Sequence, residues 1–168
     1  MPWSWVRPAD PTLLDLRPLL DLGTGDGQTL AALVRDRGLV VGVDRSASAL
    51  PAARRAFAAR FAAASADRLP FLDGTFRVLL AADLFHHLDD ETLVSTLTEV
   101  RRVLRPGGCL VAWWYEQPSR PGPDAPRFPR TGYEVARMAN DNGLAPRELA
   151  LEFRLEPAPA TAGLVATR

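Results

Sequence analysis

Three stretches of this 168-residue chain carry side chains whose types and spacing could do chemistry. The sharpest is Leu19-Leu20-Asp21-Leu22-Gly23-Thr24-Gly25-Asp26-Gly27, an apolar run that ends in a glycine-rich turn. Small residues at such a turn let the backbone approach a ligand closely. A helix that follows presents free N–H groups and the positive end of its dipole. A dinucleotide fingerprint would place its third glycine at position 28, which holds Gln28; Gly27 comes one place early. Asp21 and Asp26 would serve a pyrophosphate poorly, and a ligand with a cationic amino-acid end well. With no ligand, the same residues make a tight strand-to-helix turn and nothing more.

Two further acids end the next two expected strands. Asp44, followed by Arg45, stands where a carboxylate can accept hydrogen bonds from both hydroxyls of a ribose. The alternative is an N-cap-like residue for the next helix. Asp67, between Ala66 and Arg68, stands where a carboxylate beside backbone amides can read the exocyclic amine of an adenine. The alternative is a loop aspartate capping Leu69 or Phe71. Each is weak alone; three acids at three successive strand ends, with the glycine turn, form a strong constellation.

The third stretch is Asp83-Leu84-Phe85-His86-His87. His86 and His87 are the only histidines, and either could act as a general base for a phenol or enol acceptor. The competing reading has the pair shape the loop, one ring packed and one solvated. Two adjacent His with Asp89 and Asp90 make no recognisable metal-ligand spacing, so no metal is expected. Asp89-Asp90-Glu91 suits the start of a helix. Alternation along a strand sends Trp113 and Tyr115 to one face and Trp114 to the other. Core packing is the expectation for at least one of these rings, and one could border an acceptor pocket. Trp3 and Trp5 could close over that pocket or anchor the amino-terminal segment. Cys109 reads as a small core residue.

Positioning these groups takes a regular alternation of elements. Strands are expected at Pro18–Leu22, Leu39–Val43, Phe61–Ser65, Arg77–Ala82, Cys109–Tyr115, Glu148–Leu155 and Gly163–Thr167. Helices are expected from Gln28 to about Arg37, from Ser46 or Ser48 to about Arg60, from Asp90 to Leu104, and from Thr131 to Asn142. Pro51 favours the later start of the second, because proline is tolerated only in a first turn. Arg105-Pro106-Gly107-Gly108 should end the third helix sharply. Residues 116–132 hold five prolines and no apolar period, which reads as a long loop. The whole is an α/β fold, a Rossmann-like doubly wound sheet with helices on both faces, in a single domain spanning 1–168.

Composition excludes several classes. Net charge is +0, which argues against a dedicated nucleic-acid backbone binder. One cysteine excludes an intramolecular disulfide framework and a multi-cysteine metal site. No secretory leader or transmembrane-length run stands out, so a cytoplasmic setting is the expectation.

These residues resemble the class I S-adenosylmethionine-dependent methyltransferases. Leu-Asp-Leu-Gly-Thr-Gly-Asp-Gly is similar to the family's first motif, and Val43-Asp44 to its second acidic position. Asp67 to Phe76 resembles the adenine loop of the small-molecule subgroup that includes quinone-biosynthesis enzymes. Ala81 to Leu88 is similar to the segment after strand four, and Glu99 to Gly108 to the helix end before strand five. The resemblance implies a seven-stranded, mostly parallel sheet with an antiparallel last strand. It implies S-adenosylmethionine as cofactor, S-adenosylhomocysteine as product and a small-molecule acceptor. Asp21 and the backbone of Gly23 and Gly25 would hold the methionine end, Asp44 the ribose hydroxyls, and Asp67, with the amides near Ala66 and Arg68, the adenine; Thr24 and Arg45 are further cofactor-binding candidates. Asp83 and Leu84 would lie near the sulfonium.

The sequence also departs from the family's pattern. Arg77 stands where the family usually has Asp. Only about seventeen residues precede the first motif, so residues 1–17 form at most a short extension with one small helix near Asp10–Leu14. A lid over the acceptor would then be small, or come from the 116–132 loop or the second subunit of a homodimer. After strand four there is no Asn/Asp-Pro-Pro-Tyr/Phe motif of the nucleic-acid amino-methylating enzymes. The competing readings are a non-catalytic cofactor-binding partner module, a protein or RNA methyltransferase, and an NAD(P)-dependent oxidoreductase. Gln28 and the absence of any Lys argue against the last.

Overall fold

The structure is a computed structural model that describes residues 6–8, 10–35, 38–115, 128–148, 151–153 and 161–168. Its centre is a seven-stranded sheet. The strands in chain order are β2 (Leu19–Leu22), β3 (Val40–Asp44), β4 (Arg60–Ala63), β5 (Phe76–Ala82), β6 (Leu104–Tyr115), β7 (Ala145–Glu148) and β9 (Thr161–Thr167). Their spatial order is β4-β3-β2-β5-β6-β9-β7. The first five run parallel, and β9 is antiparallel to both of its neighbours. The expected seven strands with an antiparallel last one are therefore present. A separate two-stranded ribbon pairs β1 (Val6–Pro8) with β8 (Leu151–Phe153).

Helices cover both faces. On one side α1 (Gln28–Leu33), α2 (Leu50–Ala56) and a 3-10 turn at Pro11–Asp15 pack Leu30, Leu50, Ala53 and Leu14 onto Leu19, Val78, Leu80 and Val111. On the other, α3 (Asp90–Val103) and α4 (Gly132–Asp141) pack Leu93, Leu97, Val135 and Ala139 onto Leu22, Leu79, Ala81 and Leu110. All four residues of β2 are buried, as a central parallel strand covered on both faces requires. Trp113 and Trp114 are each 0% exposed and belong to the two opposite cores. The alternation is as expected, but both rings are packing groups and neither borders an open pocket. Cys109 is a buried strand residue whose thiol is pushed up by burial.

Several boundaries differ from the sequence reading. α1 stops at Leu33, with Val34 already extended, and α2 runs only from Leu50 to Ala56, with Pro51 in its first turn. β6 starts at Leu104 rather than Cys109. The third helix ends where expected, at Val103 with Leu104 as its C-cap, but pairing then jumps from Phe76↔Leu104 to Val78↔Cys109, so Arg105–Gly108 also bulge out of a strand. Gly107 has φ +73°, and a Cβ on Gly108 would lie 2.9 Å from the carbonyl oxygens of Arg105 and Arg77. The expected strand Glu148–Leu155 is two strands in two sheets, β7 and β8. β7 begins earlier because it pairs only with β9, and an edge tolerates Pro146. Trp3, Trp5, residues 116–127 and the end of the expected strand at 154–155 lie outside the described residues.

Candidate functional site

The glycine turn is held open by its backbone. Gly23, Gly25 and Gly27 have φ of +69°, +52° and +80°. A Cβ on Gly27 would lie 2.9 Å from Ala53 Cα, so this glycine lets α1 and α2 approach; one on Gly25 would meet nothing within 4 Å. Gly25 is thus where backbone faces open space. The turn is tied to β3, since Gly23 and Thr24 both donate to the Val43 carbonyl, at 2.9 and 3.0 Å. Leu84 reaches across from the end of β5, and a Cβ on Gly23 would come within 3.0 Å of its Cδ1.

Asp44 ends β3 and bridges the two loops beside it. One carboxylate oxygen accepts from the Gly25 amide at 2.8 Å, the other from the Ser46 amide at 2.7 Å. It does not cap the next helix, whose N-cap is Ala49. Each carboxylate oxygen keeps a further lone pair for a ligand. Arg45 is exposed beside it, and it is Ser46, not Arg45, that engages the carboxylate.

Asp21 is 2% exposed, and its Oδ2 has no hydrogen-bond partner among the described residues. Burial pushes its carboxyl up to about 7; the Thr24 side chain opposes the rise and the Asp44 charge adds to it. Asp67 sits in a turn closed by the Arg68 amide on the Ser65 carbonyl at 3.1 Å, with Ala66 half-buried and Arg68 exposed. Its Oδ1 is buried and has no partner among the described residues. Capping of Leu69 falls instead to Glu99, whose Oε2 accepts from the Leu69 amide at 2.7 Å.

Asp83 follows β5 with φ +59°, the one described non-glycine residue at positive φ. Its amide donates to the Trp113 carbonyl at 2.9 Å. The 3-10 turn Phe85–His87 then brings His86 Nε2 to 2.9 Å from Asp83 Oδ1. The His86 side chain is 0% exposed and that of Asp83 19%. The His87 ring is half-buried, tilted against His86 with centroids 4.2 Å apart. One atom each of Asp83, His86 and His87 lie within 4.8 Å of one another. The histidines therefore cluster with Asp83, while Asp89 is the N-cap of α3 and accepts from the Thr92 amide at 2.8 Å.

Two arginines that sequence reasoning left without a role hold this rim in place. Arg130 is 6% exposed; its guanidinium donates to the Phe85 and Leu88 carbonyls on either side of the histidine turn and to Asp90. Arg102 donates to the Leu69 and Phe71 carbonyls, to Asp73 and to Glu99, fastening the 67–74 loop to α3. The Glu99–Arg102 spacing of three on a helix is a readable signal. No local pattern marks Arg130.

The strand ends therefore bring together a glycine turn open at Gly25 and three carboxylates, two with a buried, unpartnered oxygen. The chain belongs to the methyltransferase domain family, which matches residues 19–108, and within it to the class I S-adenosylmethionine-dependent methyltransferases. It is 39% identical over 98 residues to the ubiquinone/menaquinone biosynthesis C-methyltransferase UbiE of Desulfotalea psychrophila, covering 55% of this chain and 39% of that one. It is 37% identical over 126 residues to a demethylmenaquinone methyltransferase of Thermus thermophilus, covering 69% of this chain and 56% of that one. The chain thus spans about half the length, or less, of these relatives. A SAM-dependent methyltransferase from Aquifex aeolicus has the same fold, with TM-score 0.72 at 20% identity over 98% of this chain and 90% of that one.

Proposed function

We propose that the chain binds S-adenosylmethionine across the ends of β2, β3 and β4 and moves its methyl group to an O, C or N of a small-molecule acceptor. The carrying observation is the set of three strand-end carboxylates around the open glycine turn. Unpartnered buried oxygens on Asp21 and Asp67 suit a ligand that brings donors at both ends. Asp21 with the backbone of Gly23, Thr24 and Gly25 would meet the amino-acid end. Asp44 would take the ribose hydroxyls, and Asp67, with the amides near Ala66 and Arg68, the adenine. Asp83 and Leu84 would border the sulfur. The bound donor supplies a methyl group already activated on a sulfonium and open to in-line displacement. What remains for the protein is placement, which can supply about 7–11 kcal/mol of the barrier.

The names of the quinone-biosynthesis relatives favour a small acceptor. No helix among the described residues is long and apolar enough to cross a membrane, which fits the proposed cytoplasmic setting. Thermal unfolding with S-adenosylmethionine, S-adenosylhomocysteine, NADH and NADPH in parallel tests the assignment. Ligand at about 100 times its Kd stabilises by about 2.7 kcal/mol, a rise of several degrees at this size. The two sulfur compounds alone should give it, and a rise with NADH or with none sinks the reading. Asp44→Ala should weaken binding by about 1–3 kcal/mol; unchanged affinity removes the ribose role.

A further inference from the structure

The turn after β5 gathers more ligand atoms than its packing uses. His86 is fully buried, and neither ring nitrogen has an aligned hydrogen-bond partner among the described residues. A polar atom left bare in a core is a cost that an apolar residue of the same size would avoid. The ring is aimed at an acid: Nε2 stands 2.9 Å from Asp83 Oδ1, close but without the alignment of a hydrogen bond. The His87 ring lies tilted against it with centroids 4.2 Å apart, and one ligand atom each of Asp83, His86 and His87 lie within 4.8 Å of one another. The main chain fixes this arrangement from behind. The Asp83 amide donates to the Trp113 carbonyl and the His87 amide to the Leu84 carbonyl, each at 2.9 Å. The His86 carbonyl accepts from the Phe128 amide, and Arg130 holds the Phe85 and Leu88 carbonyls.

We propose that Asp83, His86 and His87 form a binding site for a divalent transition ion of the zinc kind, ligated by Asp83 Oδ1, His86 Nε2 and a ring nitrogen of His87. The inference stands apart from the methyl-transfer reading, because the ion needs no methyl donor. Two imidazoles with one carboxylate suit zinc and its neighbours in the first transition row, whereas magnesium and calcium take oxygen donors. Donors about 2.0–2.2 Å from a shared ion, at angles of about 90–110°, stand about 2.8–3.6 Å apart. Asp83 Oδ1 and His86 Nε2 already meet that spacing. His87 is half-buried, and its side chain is the one that closes the remaining gap. A neutral imidazole keeps a lone pair on one nitrogen, and an ion is a partner for it that a dry core otherwise lacks. Three protein ligands leave a fourth position for water, on the outward side where the Asp83 side chain is 19% exposed. The acid of the set precedes the histidines in the chain. Asp89 and Asp90, which follow them, are engaged instead by the start of α3 and by Arg130.

The test uses the full chain with no added histidines, stripped by a chelator. It is titrated with zinc against a chromogenic chelator, and with cobalt(II) followed by its visible absorption. One equivalent of either ion should bind, and magnesium should not displace it. His86 and His87 are the only histidines, so their imidazole NMR signals, assigned with His87→Gln, should both shift as zinc is added. Asp83→Asn, His86→Gln and His87→Gln should each weaken zinc binding about tenfold or more, the loss that removal of even an outer partner of a ligand brings. Asn tolerates the left-handed conformation, so Asp83→Asn keeps the turn. Glu91→Gln, on the exposed first turn of α3, should bind zinc as the parent does. No bound equivalent, or several loose ones displaced by magnesium, overturns the proposal. So does a His86 signal that zinc leaves unmoved, or an unchanged affinity in Asp83→Asn. A loss in Glu91→Gln as large as in Asp83→Asn would assign the ion to the acidic helix start and overturn it as well. Should His86→Gln not fold, the His86 signal of the parent and the affinity of Asp83→Asn decide.

Discussion

The two sides of the strand-end face are built by opposite means. On the β2–β3 side the parts are neighbours. Amides of the glycine turn meet the Val43 carbonyl and the Asp44 carboxylate, while Asp21 Oδ2 and Thr24 Oγ1 are buried with no hydrogen-bond partner among the described residues. On the β5 side the histidine turn is held from far along the chain, by an arginine 45 residues from the carbonyl it binds. The first side keeps an unsatisfied charge where its proposed ligand brings a positive one. The second has its main-chain acceptors satisfied by a buried guanidinium. One side leaves a buried carboxylate oxygen open to a ligand; the other has its main chain braced by a distant side chain.

The largest test of that contrast is Asp21→Asn. The folded carboxyl titrates near 7, against 3.8 for an ordinary aspartate. A raised carboxyl means that the folded state binds the extra proton. Its favourable contribution is full below about pH 4 and is lost as pH rises to about 7. Asn should therefore match the parent near pH 4 and exceed it by up to about 4 kcal/mol at pH 8, while binding S-adenosylmethionine more weakly. Denaturant unfolding at the two pH values measures it, and a variant less stable than the parent at pH 8 would break the comparison. Next comes Arg130→Met. It strips donors from the Phe85 and Leu88 carbonyls and should cost about 2–4 kcal/mol, or about 6–12 °C in Tm. A loss below about 0.5 °C would mean that the turn does not need its brace. The smallest effect belongs to Arg102→Met, about 1 kcal/mol. Arg102 is 30% exposed and Asp73, one of its partners, 77%. A loss as large as that of Arg130 would show that burial is not what separates the two arginines.

Legibility followed the same line. Gly23, Gly25, Asp44 and Asp67 could be read because a strand, its turn and the acid at its end are consecutive in the chain. Asp89 at the start of α3 and Thr131 at the start of α4 were readable for the same reason. Arg130 was not, because its partners come from another element and its own neighbours are prolines and loop residues. The early start of β6 was hidden by Arg105-Pro106-Gly107-Gly108, a sequence that stops helices and, in this fold, bulges out of a strand. Pro146 concealed β7, since a proline argues against a strand unless an edge is known to lie there. The Asp83–His86 contact was half visible: the spacing was present, but not which acid would turn toward which ring.

The place of β9 has a consequence for how the chain is made. It follows β6 and β7 in the sequence but lies between them, pairing Cys109 with Thr167 on one side and Ala145 with Thr167 on the other. While residues 161–167 are still inside the ribosome, β6 has a bare edge in the middle of an apolar sheet and β7 has no neighbour. A nascent chain with every proposed ligand-binding residue already outside is then also a chain with an open strand edge, the state most prone to pair with another copy. When Thr161–Thr167 emerges it fills both gaps at once, and the Arg168 side chain fastens onto the Leu104 carbonyl at the base of β6. Synthesis of the proposed site and protection of the sheet are thereby separated in time.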